Sequence, residues 1–203
     1  LCGCFFLVLG ERGLPAPPFD RGGGLPPFLG ANPGQAAAFM SPYVVEPAEV
    51  VDALSHSARR CEILDGWLTH RERLQNIGFD AGFQWLDGSF VENKDPNDLD
   101  VVTFLSRPNF LPTLQDLAQY RAAHSLLFDR APVKSVYHLD FFPIDLSMPG
   151  PNLVNIARYW CGLFSHRRGD SRWKGMLNVT LQPQGNAVAR LALTHAKQRL
   201  GIP

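Results

Sequence analysis

The chain has 203 residues, of which 45% are hydrophobic and 19% are charged, and this composition is sufficient for one globular domain with a sizeable core. Its 19 basic and 19 acidic residues give a formal net charge of zero at pH 7. A neutral chain has no overall electrostatic attraction to nucleic acid or to a membrane surface, so only local patches can supply one. We therefore expect no membrane partner.

The cysteines and histidines show none of the spacings typical of a metal site. The four cysteines form no C-x-x-C pair, and the six histidines are scattered along the chain. We expect reduced thiols in a cytoplasmic protein, rather than a zinc site or a disulfide framework. The cysteines are Cys2, Cys4, Cys61 and Cys161.

The first 35 residues differ in composition from the rest of the chain. The apolar part of "LCGCFFLVLGERG" is too short to span a bilayer and follows no basic segment, so we expect a fragment boundary or an upstream extension rather than a signal peptide. Residues 13–35 are dense in proline and glycine, which predicts an extended arm. Phe19, Leu25 and Phe28 should hold this arm against the surface of a single domain that spans residues 36–203.

Helices are predicted at both ends of this domain. A Glu-Pro start near Glu46 leads into apolar residues at helical spacing, and Gly78 ends the helical segment. Helical periodicity returns in the segments "LPTLQDLAQYRAAHSLLFD", "NLVNIARYWCGLFSHR" and "GNAVARLALTHAKQRLG".

Strands are predicted between these helices. The segment "FQWLDGSF" ends at a tight glycine turn, "DLDVVTFL" is rich in β-branched residues, and "KGMLNVTL" is a short strand near the C-terminus. The segment "VKSVYHLDFFPIDL" is interpreted as a further strand that is interrupted or ended at Pro143. We expect residues 83–87, 98–105 and 134–142 to be neighbours in one small mixed sheet flanked by helices, an α/β (α+β) fold.

An Asp-x-Asp pair carries the main functional hypothesis. Asp98 and Asp100 are two residues apart on a strand and share a face, whereas Leu99 points into the core. Mg²⁺ typically takes one or two carboxylates together with substrate phosphates. Gly88 allows a phosphate to approach the backbone, and Ser89 offers an N–H and a hydroxyl. The alternative is a pair of solvated acids at the start of a strand.

A third carboxylate on a neighbouring strand would complete such a site and help to deprotonate an attacking hydroxyl. Asp140 is the first candidate because an acid in an apolar strand is costly to bury without a partner, and Asp145 is the reserve. The basic segment "SHRRGDSRWKG" is either a solvated loop or a clamp on phosphates, with Lys174 the best single candidate.

These residues resemble the nucleotidyltransferase superfamily, which has the DNA polymerase β-like fold. The shared pattern is Gly-Ser, a short spacer, Asp-x-Asp on the next strand and a carboxylate on a third strand. More narrowly, "PPFDRGGGLPPFLG", "WLDGSFVENKDPNDLDVV" and "RWKGMLNV" look like a group of prokaryotic nucleotidyltransferase-like proteins, over roughly residues 16–180. The helix that usually follows Gly-Ser is compressed here, because "FVENKDPN" is short and contains Pro96.

The resemblance implies transfer of a nucleoside monophosphate from an NTP to an acceptor such as RNA, a protein side chain or a small molecule. It implies Mg²⁺ or Mn²⁺ at Asp98, Asp100 and Asp140, with Gly88, Ser89 and Lys174 at the phosphates. Two other functions stay open on the sequence: a non-catalytic relative that binds nucleotide or RNA, and a scaffold component of a toxin–antitoxin or phage-defence pair.

Overall fold

The structure is a computed structural model that describes residues 15–30 and 36–203. The α+β class predicted from the sequence is confirmed, because the helices of the described residues flank a five-stranded mixed sheet. The helices are α1 (Pro47–Leu54), α2 (Ala58–Asn76), α3 (Leu114–Ala123), α4 (Ser125–Phe128), α5 (Arg130–Tyr137), α6 (Gly150–Phe164) and α7 (Asn186–Arg199). The strands are β1 (Tyr43–Val44), β2 (Gly82–Asp87), β3 (Leu99–Leu105), β4 (Leu139–Asp145) and β5 (Leu177–Thr180).

Two predictions from the sequence, the reduced cysteines and the extended N-terminal arm, concern residues that lie partly outside these ranges. The segment that contains Cys2 and Cys4 lies outside the described residues, and so does the end of the arm at residues 31–35. Among the helices that are described, none combines the length and the apolar character needed to cross a lipid bilayer.

The sheet has the strand order β1-β5-β2-β3-β4. Strand β2 is antiparallel to β3 and β5, whereas β3 and β4 are parallel. Parallel neighbours need a crossover connection, and α3, α4 and α5 provide it. Strands β2, β3 and β4 are therefore neighbours, as the sequence predicted.

The predicted strand over residues 134–142 is wrong in its first part. Residues up to Tyr137 form α5, and β4 begins only at Leu139. Val133, Val136 and Tyr137 have helical spacing, but β-branched and aromatic residues also favour strands, so a short apolar segment fits both patterns. The strand then continues through Pro143, which is tolerated because β4 is an edge strand.

Each face of the sheet has its own core. The larger core buries residues of α1, α2 and α7 against alternate residues of the strands, including Leu86, Leu99 and Phe141. The smaller core lies on the other face, where Trp160 and Phe164 of α6 pack with residues of β2 and β3. Its buried members are Trp85, Val102, Phe104, Trp160, Phe164 and Met176.

The described part of the N-terminal arm is built into this domain. Leu25 is 1% exposed and belongs to the larger core, so it is buried more deeply than a surface arm requires. Its backbone N–H donates to the carbonyl of Val91, and its carbonyl accepts from the N–H of Gly175. The arm therefore joins the loop after β2 to the segment before β5.

A buried arginine also holds the loop after β2. Arg60 of α2 is 0% exposed, and its guanidinium donates to the carbonyl oxygens of Phe90, Glu92 and Lys94 at 2.7, 2.5 and 2.9 Å. A buried cation that binds carbonyl oxygens is stable only while those oxygens stay in place. Arg60 therefore fixes the path of the chain from the glycine turn at Gly88 towards β3.

Arg60→Met should lower the free energy of unfolding by about 3 kcal/mol, because three carbonyl groups lose a charged donor. Arg59→Gln is the matched control on the same helix, since Arg59 is partly exposed, pairs with Glu62 and donates to a single carbonyl, that of Asn97, and it should cost about 1 kcal/mol or less. Urea titrations with linear extrapolation measure both values. Equal losses in the two variants would contradict the role assigned to Arg60.

Candidate functional site

Three aspartates lie side by side across the strands β2, β3 and β4. The strand register pairs Asp87 with Asp100 and Asp100 with Asp140. Alternate residues of a strand share a face, so these side chains belong to the same face as Trp85 and Val102. That face is the one covered by α6.

These aspartates line a cavity of about 400 Å³ next to the C-terminal end of α6. The lining includes five acids and five lysines or arginines, so its formal charges cancel. All six site residues predicted from the sequence belong to it, namely Gly88, Ser89, Asp98, Asp100, Asp140 and Lys174. The reserve candidate Asp145 does not line the cavity, because it lies five positions after Asp140, on the other face of β4, where it binds Arg107.

Asp140 and Asp98 are each bound by a cation of α5. Arg130 holds both carboxylate oxygens of Asp140, with Nη2 2.6 Å from Oδ2. These hydrogen bonds lower the pKa of Asp140 below its usual value. Lys134 lies one helical turn further on, with Nζ 2.5 Å from Oδ2 of Asp98 and 3.8 Å from Oδ2 of Asp140.

Asp100 differs from these two because, within residues 15–30 and 36–203, no cation lies within salt-bridge distance of it. Burial raises the pKa of Asp100 to about 6, and the negative charges of Asp98 and Asp140 add to the effect. Its carboxylate packs directly against the backbone of Gly88. A Cβ at residue 88 would lie 1.9 Å from Oδ2 of Asp100, and the φ of Gly88 is +78°, so both space and backbone require glycine here.

The chain makes only a short turn after Gly88. Residues Gly88–Val91 form a single 3₁₀ turn, as the short segment with Pro96 indicated. Ser89 is half-buried on the cavity wall, and in the described part of the chain its hydroxyl forms no hydrogen bond. The Ser89 side chain is therefore free to bind a ligand in the cavity.

Lys174 holds this turn in place from inside the protein. Its side chain is 4% exposed, and Nζ lies 2.9 Å from the carbonyl of Gly88 and 3.2 Å from carboxylate oxygens of both Glu92 and Asp87. An ammonium group has three donors, and three protein oxygens surround it here. Lys174 thus positions the Gly88–Ser89 turn, and its contact with phosphates stays a prediction.

Asp87 was missed as a site residue because its place beside Asp100 depends on strand register. Burial raises the pKa of Asp87 to about 8, although Lys174 opposes the shift. Its Oδ1 atom is buried and has no hydrogen-bond partner among the described residues, since Lys174 is close but not aligned. An antiparallel pairing of the two predicted strands through the glycine turn would have placed these acids together.

The basic segment after α6 contributes His166, Arg168 and Lys174 to the cavity lining, and Arg168 has a different role from Lys174. Arg167 donates to the carbonyl of Gly22, and Arg172 pairs with Asp170, so neither contacts the aspartates of the cavity. Arg168 lines the cavity, and in the described part of the chain it forms no salt bridge. Its charge nevertheless lowers the pKa of Asp140 and opposes the rise at Asp100. Arg168 is therefore available to an anionic ligand.

No group of three His, Cys, Asp or Glu residues within the described ranges is arranged to hold a metal ion by itself. The oxygen donors nevertheless fit a hard divalent cation that takes two carboxylates and completes its shell with phosphates and water. Asp98 and Asp100 are such a pair, and no cation of the described residues contacts Asp100 directly. Among the same residues, Oδ1 of Asp87 accepts no hydrogen bond, although Lys174 lies 3.2 Å away.

A family of unknown function, DUF6932, matches residues 17–180. The chain belongs to this family. The DUF6932 match includes every cavity residue and ends with β5. No curated protein and no solved structure matches the chain.

Asp100→Asn should stabilise the protein at neutral pH. A folded pKa of about 6 against an ordinary value of 3.8 means that the native state holds a proton more tightly than the unfolded state does. The Asp100 carboxyl group therefore adds to the free energy of unfolding below pH 3.8, and this contribution is lost as the pH rises through about 6. Removing the charge should raise the free energy of unfolding at pH 7 by about 1–3 kcal/mol, and this gain should shrink towards pH 4.

Urea titrations between pH 4 and 8, with a chelator present, measure this difference. Asp80→Asn is the control, because Asp80 is exposed and its change should stay within about 0.5 kcal/mol at every pH. A gain for Asp100→Asn that is independent of pH would contradict the assigned cause, and so would a loss of stability at pH 7.

Proposed function

We propose that this DUF6932 protein is a metal-dependent nucleotidyltransferase that moves a nucleoside monophosphate from an NTP to an acceptor. The observation that carries the proposal is the contact between the Asp100 carboxylate and the Gly88–Ser89 turn, with Asp98 and Asp140 in the same cavity. This arrangement brings oxygen ligands for a cation next to a backbone turn that can bind phosphate. The acceptor is an RNA, a protein side chain or a small molecule.

The charge of the cavity supports a nucleotide that arrives with divalent cations. Its lining holds five acids, so a triphosphate alone would bring further negative charge next to a group of carboxylates. Mg²⁺ or Mn²⁺ bound at Asp98 and Asp100, with Asp140 as the third ligand, would supply positive charge at the transferred phosphate.

The residues of the chain would bind and orient the phosphates. The N–H and hydroxyl of Ser89 are donors on the cavity wall, and Arg168 is a cation without a carboxylate partner among the described residues. Asp140 in its present state is a weak base for an acceptor hydroxyl, because Arg130 lowers its pKa. Lys174 would act indirectly by holding the turn.

A nucleotide-binding relative without catalysis is the second candidate. The observation that favours it is that two of the three proposed metal ligands, Asp98 and Asp140, are already paired with Lys134 and Arg130. Such a protein would bind an NTP in the cavity without consuming it. A measurement of turnover therefore separates it from the enzyme.

Asp100→Asn should abolish Mg²⁺-dependent consumption of NTP while the protein stays folded, because a carboxylate ligand to the cation is lost. Ser89→Ala should be milder, since the backbone N–H of residue 89 remains, and the loss of one donor to a charged group corresponds to roughly a ten- to hundredfold effect. The assay follows α-labelled NTPs in the presence of cell extract as a source of acceptor.

Asp145→Asn is the matched control, because Asp145 lies on β4 but outside the cavity, and this variant should retain wild-type turnover. Retained turnover in a folded Asp100→Asn protein would refute the proposed site. Tight NTP binding without turnover in the wild type would favour the non-catalytic relative.

A further inference from the structure

Two basic side chains occupy the carboxylates that the proposed function assigns to the metal. Arg130 covers both oxygens of Asp140, and Lys134 contacts Asp98 closely and Asp140 at longer range. Both cations come from α5, four residues apart, so they lie on one face of the helix. That face is turned towards the cavity, because both residues line it.

We propose that Arg130 and Lys134 neutralise Asp140 and Asp98 when no metal ion is bound there. We propose also that the ion displaces both side chains, which then bind the phosphates of the nucleotide. The inference rests on the proposed function, because it assumes that the ion binds at Asp98, Asp100 and Asp140. It adds two binding residues that are not among those expected from the sequence, and it makes metal binding competitive with an internal ion pair.

Competition follows from the atoms involved. A divalent cation on Asp140 needs at least one of the two oxygens that Arg130 now occupies, and a cation on Asp98 needs space beside Lys134. The ion would also repel both positive side chains at this range. Displacement is feasible because the side chains of Arg130 and Lys134 are 62% and 49% exposed, and exposed ion pairs are individually weak.

The displaced side chains have a suitable anion to bind. The phosphates of a metal-bound nucleotide would lie beside the same carboxylates, within reach of long side chains from the wall of the cavity. The guanidinium of Arg130 can bind phosphate oxygens with two parallel hydrogen bonds, in the same way as it now binds Asp140. Arg130 and Lys134 would thus exchange their carboxylate partners for phosphate partners within the same cavity.

The test measures Mn²⁺ binding alone, without nucleotide, by the electron paramagnetic resonance signal of the free ion. Arg130→Gln and Lys134→Gln should each lower the dissociation constant for Mn²⁺ by about two- to fivefold, and the double variant should lower it further. Arg172→Gln is the matched control, because Arg172 is 66% exposed and pairs with Asp170 outside the cavity, and its dissociation constant for Mn²⁺ should stay within about twofold of the wild type. Melting temperatures verify that each variant is folded.

The second part of the test uses inorganic tripolyphosphate at saturating Mn²⁺. The double variant should bind it at least about tenfold more weakly, because two cationic donors to the phosphates are missing. Tighter Mn²⁺ binding together with weaker tripolyphosphate binding supports the proposal. Mn²⁺ binding no tighter in the double variant than in Arg172→Gln would overturn the competition, and unchanged tripolyphosphate binding would overturn the transfer to phosphate.

Asp100→Asn separates this inference from the function on which it rests. If Asp100→Asn loses Mn²⁺ binding and the double variant shows no gain, the metal site stands and the competition is wrong. If Asp100→Asn binds Mn²⁺ as tightly as the wild type, the ion is bound elsewhere, and both the inference and the proposed function fail.

Discussion

The placement of four carboxylates at one largely buried site is the constraint on which the cavity depends, and these are Asp87, Asp98, Asp100 and Asp140. Strand register fixes three of these acids as neighbours, and a buried carboxylate next to others needs a proton, a cation or a hydrogen-bond donor. Each acid is balanced in a different way. Lys174 lies beside Asp87, two cations of α5 bind Asp98 and Asp140, and Asp100 keeps a raised pKa.

The surrounding structure serves to hold these charges in position. Arg60 of α2 fixes the loop after β2 by donating to its carbonyl groups. The backbone of Leu25 binds both this loop and the segment that carries Lys174. Gly88 leaves room for the carboxylate of Asp100, which a side chain at this position would displace. Residues far apart in the chain therefore meet at one turn, and the DUF6932 match from residue 17 to residue 180 covers all of them.

The sequence predicted those parts of the site that depend on local pattern. Alternation along one strand was sufficient to place Asp98 and Asp100 together with Leu99 in the core, and the preference for a buried acid to have a partner identified Asp140. The partner cations were missed because Lys134–Tyr137, the second half of α5, was interpreted as part of a strand, so the helix that carries both Arg130 and Lys134 was not recognised. The burial of Lys174 depends on contacts with residues more than 80 positions away, which no local pattern reveals.

The proposed function requires the cavity to bind a nucleotide and divalent cations together, because its lining already holds five acids. Thermal unfolding of the wild type with each NTP alone, with Mg²⁺ alone and with both measures this directly, because a ligand stabilises the state to which it binds. We expect NTP and Mg²⁺ added together to raise the melting temperature by clearly more than the sum of the rises that each causes alone. Equal stabilisation by NTP with and without Mg²⁺, or no stabilisation by any combination, would contradict this expectation.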